Sequence, residues 1–152
     1  MRGLLVVLAV LALASVGCNV TGIQVDPTNP PPAEGPPEGT WSLVTGTTPD
    51  GTVEPTRRSP ITLRFQDGRG VGRAVCNSYG GRTRVKGESI RFGEIGMTMM
   101  LCASRRDNAT EGAYLSALRR VNRFRLRDEH TLVLTGPDTK LTFTRIDSAV
   151  ED

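Results

Sequence analysis

The sequence predicts a mainly β domain with one α-helix, folded as a small antiparallel β-barrel-like structure. Three observations support this fold class. Apolar and polar residues alternate in several short runs, turn-forming residues separate those runs, and a single segment repeats its apolar residues at helical spacing. The chain has 152 residues, a length for which one domain is the usual expectation.

The strands are predicted from alternation and from the turns that end it. Ile61, Leu63 and Phe65 alternate with polar residues, which is typical of a strand with one buried face. Asp67 and Gly68 lie between this run and the next, at the spacing of a β-hairpin. The predicted strands are residues 40–47, 60–66, 70–76, 82–86, 89–93, 122–127, 131–135 and 139–145.

The helix is predicted over residues 110–121. Its apolar residues recur at helical spacing, and Asp107 or Asn108 is placed to cap its start. Arg119 and Arg120 near its end suit the negative pole of the helix dipole. The apolar positions are Tyr114, Leu115, Leu118 and Val121. We expect this helix to cover the strands.

Residues 1–17 have the pattern of a bacterial lipoprotein signal peptide. Arg2 precedes an apolar run over residues 4–14, which is the length of a signal-peptide core and short for a permanent membrane helix. Small residues then precede Cys18, which we predict becomes the lipidated N-terminus. Two or more acyl chains would make that anchor effectively permanent. Asn19 resembles the second residue of lipoproteins that are sorted to the outer membrane of Gram-negative bacteria.

Residues 18–39 are predicted to form the lipidated cysteine and a spacer. Six of the chain's ten prolines lie here with almost no apolar side chains, a composition that favours extended polyproline II geometry. The globular domain is predicted over residues 40–146, followed by an acidic tail over 147–152. From this organisation we expect a lipid-anchored domain in the cell envelope, on the outer membrane and facing the periplasm if the source is Gram-negative.

A central motif resembles the META domain, the HslJ-like family. Its residues lie in two segments about twenty-five residues apart, a glycine-rich stretch with a Cys-Asn pair and a later Thr-x-Met-x-Cys stretch, followed by an acidic residue and the predicted helix. The motif positions are Gly72, Cys76, Asn77, Gly80, Thr98, Met99 and Cys102. Val75 stands where the family commonly has glycine. The resemblance implies a barrel-like domain, often on envelope lipoproteins and sometimes linked to heat shock or antibiotic tolerance, with no established enzymatic activity.

Cys76 and Cys102 are predicted to form a disulfide bond, because export places them in an oxidising compartment. The alternative is a copper site that uses Cys102 and the neighbouring methionines, since thiolate and thioether ligands select Cu(I). That set comprises Met97, Met99, Met100 and Cys102. Methionines at this spacing are more often core residues. No cofactor is predicted.

The predicted domain is basic, with 18 Lys and Arg against 10 Asp and Glu between residues 40 and 146, a formal net charge of +8. Five arginines lie close together in its sequence: Arg119, Arg120, Arg123, Arg125 and Arg127. The last three share one face of a predicted strand. In an exported domain such a stripe would meet anionic lipids or cell-wall polymers rather than nucleic acid. The alternative is an arginine-rich solvated face.

Catalysis is disfavoured because the chain contains one histidine, His130, which lies in a predicted turn. Asn77, Ser78 and Tyr79 could form a polar site, although a turn in which Gly80 and Gly81 adopt positive φ is the simpler interpretation. The sequence therefore favours a noncatalytic envelope lipoprotein that binds an envelope component or a partner protein. A protein inhibitor, a small-ligand-binding module and a copper-binding protein are the alternatives.

Overall fold

A computed structural model of the chain describes residues 35–146, and the structural statements below concern that range. It contains nine strands and one helix. These are β1 Thr40–Thr48, β2 Gly51–Val53, β3 Thr62–Gln66, β4 Arg69–Arg73, β5 Ser78–Lys86, β6 Ser89–Met97, α1 Arg105–Arg120, β7 Arg123–Asp128, β8 Thr131–Gly136 and β9 Thr139–Ile146. The predicted signal peptide, Cys18 and the acidic tail lie outside the described residues.

The strands form one antiparallel sheet that closes into a ring. The order is β2-β1-β3-β4-β5-β6-β7-β8-β9, and β1 also pairs with β9 along most of its length. Closure removes most of the exposed sheet edge. The shortest strand pairing in the ring joins β6 to β7, where the register contains one residue pair, Ser89 with Arg123. The predicted mainly β, barrel-like fold class is confirmed.

The core fills the inside of this ring. Its largest side chains with no solvent exposure include Trp41, Tyr114 and Phe143. The helix α1 contributes one apolar face to the core through Tyr114, Leu115 and Leu118. Burial of such side chains stabilises a domain by about 1.5–3 kcal/mol each. Trp41 Nε1 also donates to the carbonyl oxygen of Pro37 at 3.2 Å, so residues that precede β1 pack on the domain.

The turns follow their sequence. Asp67 and Gly68 connect β3 to β4 with positive φ angles of 50° and 68°, which is the two-residue hairpin geometry that Asp-Gly favours. Gly87 begins the turn between β5 and β6 with φ 55°. No helix in the described range is both long and apolar enough to cross a membrane.

Several predicted boundaries were wrong. The helix begins at Arg105, and its N-cap is Ser104, whose hydroxyl accepts from the backbone N–H of Asp107 at 3.0 Å; neither Asp107 nor Asn108 caps it. The strand predicted over 70–76 ends at Arg73, because residues 74–77 turn the chain. The strand predicted over 82–86 begins at Ser78. The short strand β2 was not predicted.

Candidate functional site

Asn77 lies at the centre of a buried polar network where three segments meet. It precedes β5, and its side chain is 1% exposed. Its partners come from the segment after β6 and from α1, which are more than twenty residues away in sequence. A buried amide needs hydrogen-bond partners for its donors and its acceptor. The structure supplies them from both segments.

Glu111 of α1 anchors one side of the network. Its carboxylate accepts from the backbone N–H groups of Cys76 and Asn77, both at 2.9 Å, and from the Asn77 side chain at 2.6 Å. Glu111 is only 4% exposed. Hydrogen bonds to an ionised carboxylate are about twice as strong as neutral ones. The helix therefore fixes the chain reversal between β4 and β5.

The Asn77 side-chain amide forms the other side of the network. It pairs with both backbone groups of one residue, in the way that the backbone of a neighbouring strand would. Its Oδ1 accepts from Met100 N at 2.8 Å, and its Nδ2 donates to Met100 O at 2.9 Å. Oδ1 also accepts from the Thr98 hydroxyl at 2.8 Å. The backbone of the segment after β6 is thereby fixed without any use of the Met100 side chain.

A disulfide bond joins Cys76 to Cys102 beside this network, with Cα atoms 5.6 Å apart. That separation is typical of disulfides. The pairing predicted from the sequence is thus present in the structure. The copper site that would use Cys102 as a thiolate is incompatible with this bond.

Two buried tyrosines continue the polar contacts from β5 into the core. The hydroxyls of Tyr79 and Tyr114 lie 2.6 Å apart, and Tyr79 donates to the carbonyl oxygen of Thr62 at 2.9 Å. Burial raises the pKa of both phenols well above the usual value. Gly72 lies against Thr62 O, and a Cβ at this position would overlap that oxygen. The motif glycine therefore permits close approach of β3 and β4.

The segment fixed by Asn77 presents apolar side chains to solvent. We call residues 97–101 the methionine loop. Met99 and Leu101 are 95% and 93% exposed, and Met97 and Met100 are also exposed. The interpretation of these methionines as core residues was therefore wrong.

The methionine loop forms one wall of a groove of about 470 Å³. Residues of α1 form the opposite wall, including Asn108, Gly112, Leu115 and Arg119. A Cβ on Gly112 would meet no atom within 4 Å, so this part of the helix surface is open. Contiguous exposed apolar side chains beside a groove are typical of binding surfaces.

In the described range, one group of three metal-ligand side chains comes together: Cys76, Cys102 and Glu111, whose ligand atoms lie within 4.8 Å of one another. Both sulfur atoms belong to the disulfide, and the Glu111 carboxylate already accepts three hydrogen bonds. These atoms already form the disulfide and the hydrogen bonds of the network, so they are not available to bind a metal ion.

The five predicted arginines do not line one surface. Arg123, Arg125 and Arg127 of β7 line a concavity of about 310 Å³ together with Lys140. Arg119 lines the methionine-loop groove instead, and Arg120 pairs with Asp50 at 3.7 Å. The sequence analysis grouped these arginines because they are close along the chain, but two belong to α1 and three to β7.

The predicted motif residues separate in a similar way. The structure brings Cys76, Asn77, Thr98 and Cys102 together, while Gly80 lies within β5. Gly80 and Gly81 do not adopt positive φ, so their interpretation as turn glycines was wrong. His130 is exposed in the turn between β7 and β8, as predicted. Met99 is exposed in the loop.

Glu111 was not among the predicted site residues, although the resemblance included an acidic residue between Cys102 and the apolar residues of the helix. A signal was nevertheless present, since Glu111 precedes Tyr114, Leu115 and Leu118 at the spacings of one helix face. An acidic residue on an apolar face must be paired when the helix packs.

The ring of strands, its covering helix and the fixed apolar loop define a small β-rich domain. A sequence model described as META domain matches residues 36–148. The chain belongs to the META domain family. The resemblance to this family is thereby confirmed.

Solved structures show the same fold. A protein from Burkholderia xenovorans, determined by NMR, is 27% identical with a TM-score of 0.61, and the alignment covers 73% of this chain and 83% of that chain. A second NMR structure is 18% identical with a TM-score of 0.55, covering 72% of this chain and 90% of that chain. Comparison with curated proteins gives no match.

Proposed function

We propose that this protein is a noncatalytic, lipid-anchored protein of the cell envelope whose META domain binds a partner protein through the methionine loop. The anchor is supported by the signal-peptide pattern before Cys18 and by the proline-rich spacer after it. The family resemblance supports a role in stress tolerance as part of this proposal. The observation that carries the binding function is the exposure of Met99 and Leu101 on a fixed backbone.

The backbone of the methionine loop is held in place, while its side chains are available for contact with a partner. Asn77 and the disulfide hold the backbone at Met100 and at Cys102, while the side chains between and around them face solvent. Preorganisation of this kind lowers the entropic cost of binding. Methionine side chains also adapt to partners of varied shape.

The groove indicates the chemistry of the partner. Its apolar wall suits aliphatic or aromatic side chains, and Arg119 adds a positive charge to its lining. The acidic side chain in the same groove, Glu111, is already bound by three donors. We therefore propose a partner segment that carries apolar residues next to an Asp or Glu, because that carboxylate would pair with Arg119.

Photocrosslinking can test this proposal at the loop itself. Three of the four methionines in the chain are Met97, Met99 and Met100, so a photoreactive methionine analogue places its crosslinker almost entirely at the groove. We expect irradiation of the native envelope to capture a protein segment with apolar and acidic residues. A synthetic peptide of that segment should bind the purified full chain. Met99→Ser with Leu101→Ser should weaken this binding at least about tenfold, or about 1.4 kcal/mol.

The matched control replaces apolar side chains that are exposed elsewhere, Val44→Ser with Ile146→Ser, and should leave peptide binding unchanged. Arg119→Gln should weaken binding and reduce its salt dependence. Crosslinks confined to lipid, or peptide binding that is equal in the loop variant and the wild type, would contradict the proposal.

A second candidate function is recognition of an anionic envelope component by β7. Arg123, Arg125 and Arg127 surround a concavity with Lys140, while the acidic neighbour Glu88 lies 3.9 Å from Arg125. Surface ion pairs of this kind contribute little, so most of the positive charge remains available to a ligand.

Replacement of Arg123, Arg125 and Arg127 with glutamine is expected to weaken salt-sensitive binding to anionic liposomes, because it removes three charges from the concavity. Cosedimentation of a Cys18→Ser form, which has no site for the predicted anchor, measures this binding. Neutral liposomes provide the control. Equal cosedimentation of the triple variant and its parent would identify the stripe as a solvated face.

A further inference from the structure

A second basic concavity lies on β4, β5 and β6, apart from the methionine loop and from the β7 arginines. Its volume is about 450 Å³. The lining residues are Arg69, Arg82, Arg84, Arg91, Phe92, Gly93 and Glu94. We call it the arginine concavity. Its four arginines come from three neighbouring strands, so the sheet rather than a flexible loop positions them.

The strand register places these arginines directly opposite one another. Arg69 pairs across the ladder with Arg82, and Arg84 pairs with Arg91. Like charges that are directly opposite on antiparallel strands destabilise the sheet. Two such pairs side by side therefore destabilise the protein when no ligand is bound, and an anion between them would offset the repulsion.

The protein itself offers little compensation. Within residues 35–146 the ion pairs are Arg120 with Asp50 and Arg125 with Glu88, and neither involves the four arginines. Glu94 is the acidic residue in the lining. Four arginines and one glutamate leave a formal charge of +3 around the concavity.

A β-bulge shapes the floor. Gly81 pairs with Ile95 and Thr83 pairs with Phe92, so Gly93 and Glu94 together lie opposite Arg82. Bulges of this type redirect side chains and are common beside functional sites. A Cβ on Gly93 would lie 3.5 Å from Arg82 O and 3.8 Å from Arg82 Cβ, which is ordinary contact. The glycine therefore leaves a space that a side chain could fill without strain.

The Arg69 guanidinium lies beside Gly80 of the neighbouring strand β5, where a Cβ would be 3.4 Å from Arg69 Nη2. Arg69 lines the concavity with an exposed side chain.

We propose that the arginine concavity binds a ligand with two or more adjacent phosphate groups. Guanidinium groups form paired hydrogen bonds with phosphate oxygens, and opposed arginines can contact successive phosphates. Phosphates of this chemistry occur in soluble polyphosphates and in phosphorylated lipid headgroups. The site goes beyond the proposed function, since it uses no residue of the methionine loop.

Calorimetry with inorganic tripolyphosphate tests the site on the full chain in neutral detergent. Arg82→Gln with Arg91→Gln is expected to weaken binding at least about tenfold. The matched control, Arg57→Gln with Arg58→Gln, removes the same charge from exposed positions outside the concavity and should change binding less than about twofold. Arg82→Lys with Arg91→Lys keeps the charge but loses the paired geometry, so it should also weaken binding.

A charge-neutral variant separates a shaped site from a charged face. Gly93→Leu fills the floor and retains every arginine, and it should weaken tripolyphosphate binding while circular dichroism remains unchanged. Equal binding by Gly93→Leu and wild type, or equal weakening by the two double glutamine variants, would overturn the proposal. The triple glutamine variant of β7 should keep most of the binding, which distinguishes this site from the one proposed there.

A second arm identifies the source of the phosphate. The same detergent micelles are doped with diacylglycerol pyrophosphate, whose headgroup carries two adjacent phosphates, or left undoped, and binding is compared for wild type and Gly93→Leu. Gly93-dependent binding to tripolyphosphate alone supports a soluble polyphosphate, and Gly93-dependent binding to doped micelles supports a lipid headgroup. The absence of binding to both probes would overturn the proposal.

Discussion

Replacement of Asn77 with alanine is expected to lower the free energy of unfolding by about 4 kcal/mol. The buried side chain makes four hydrogen bonds with Glu111, the Thr98 hydroxyl and both backbone groups of Met100, besides a longer one to Cys76 Sγ at 3.6 Å. Its removal leaves those partners without their bonds, and each buried unsatisfied group costs about 1–3 kcal/mol. Such a loss is a large share of the 5–15 kcal/mol that is usual for a domain.

Denaturant unfolding measures this change, with Asn122→Ala as the control. The Asn122 side chain makes no hydrogen bond within the described range, so its loss should cost less than about 0.5 kcal/mol. Methionine methyl signals should also shift in the Asn77 variant because the backbone at Met100 is released. A destabilisation below about 1 kcal/mol would show that the network does not hold the loop.

Loss of the disulfide is expected to have the second large effect, a destabilisation of about 3–4 kcal/mol. The bond closes a loop with a sequence separation of 26 residues, and the chain-entropy relation gives this magnitude. Cys76→Ala with Cys102→Ala removes the bond. Denaturant midpoints of this variant and of the parent, both in a Cys18→Ser background, provide the measurement.

Reductant supplies an internal check on that result. The parent with added reductant should approach the stability of the double alanine variant, whereas the variant itself should not respond. Two free thiols in the unreduced parent, or equal stability of parent and variant, would contradict the assigned bond.

Much of the fold could be predicted because alternation and turn residues are local signals. Ile61, Leu63 and Phe65 are all buried as expected. The failures have local causes as well. The strand β2 has three residues, of which only Val53 is buried. Its sequence therefore shows no alternation of apolar and polar residues that could predict a strand. At Gly80 and Gly81, two glycines resemble a turn although both lie in β5.

The candidate site was harder to predict because its contacts join distant segments. The pairing of Cys76 with Cys102 could be predicted from the chemistry of the two thiols and from the oxidising compartment that the signal-peptide pattern implies. The role of Glu111 depends on donors 34 and 35 residues away in sequence, and local patterns carry no such information. The exposure of Met99 and Leu101 had the same cause. Apolar residues normally fold inward, and the tertiary contacts of Asn77 together with the disulfide keep this segment outside.

The way in which Asn77 holds the chain separates architecture from recognition. At Met100 its amide bonds only to backbone N–H and C=O groups, which every residue except proline offers. The side chains at positions 99, 100 and 101 could therefore be exchanged while the framework beneath them is kept. One scaffold could display many different surfaces, and grafting a foreign recognition sequence at these three positions should redirect its specificity without a new fold.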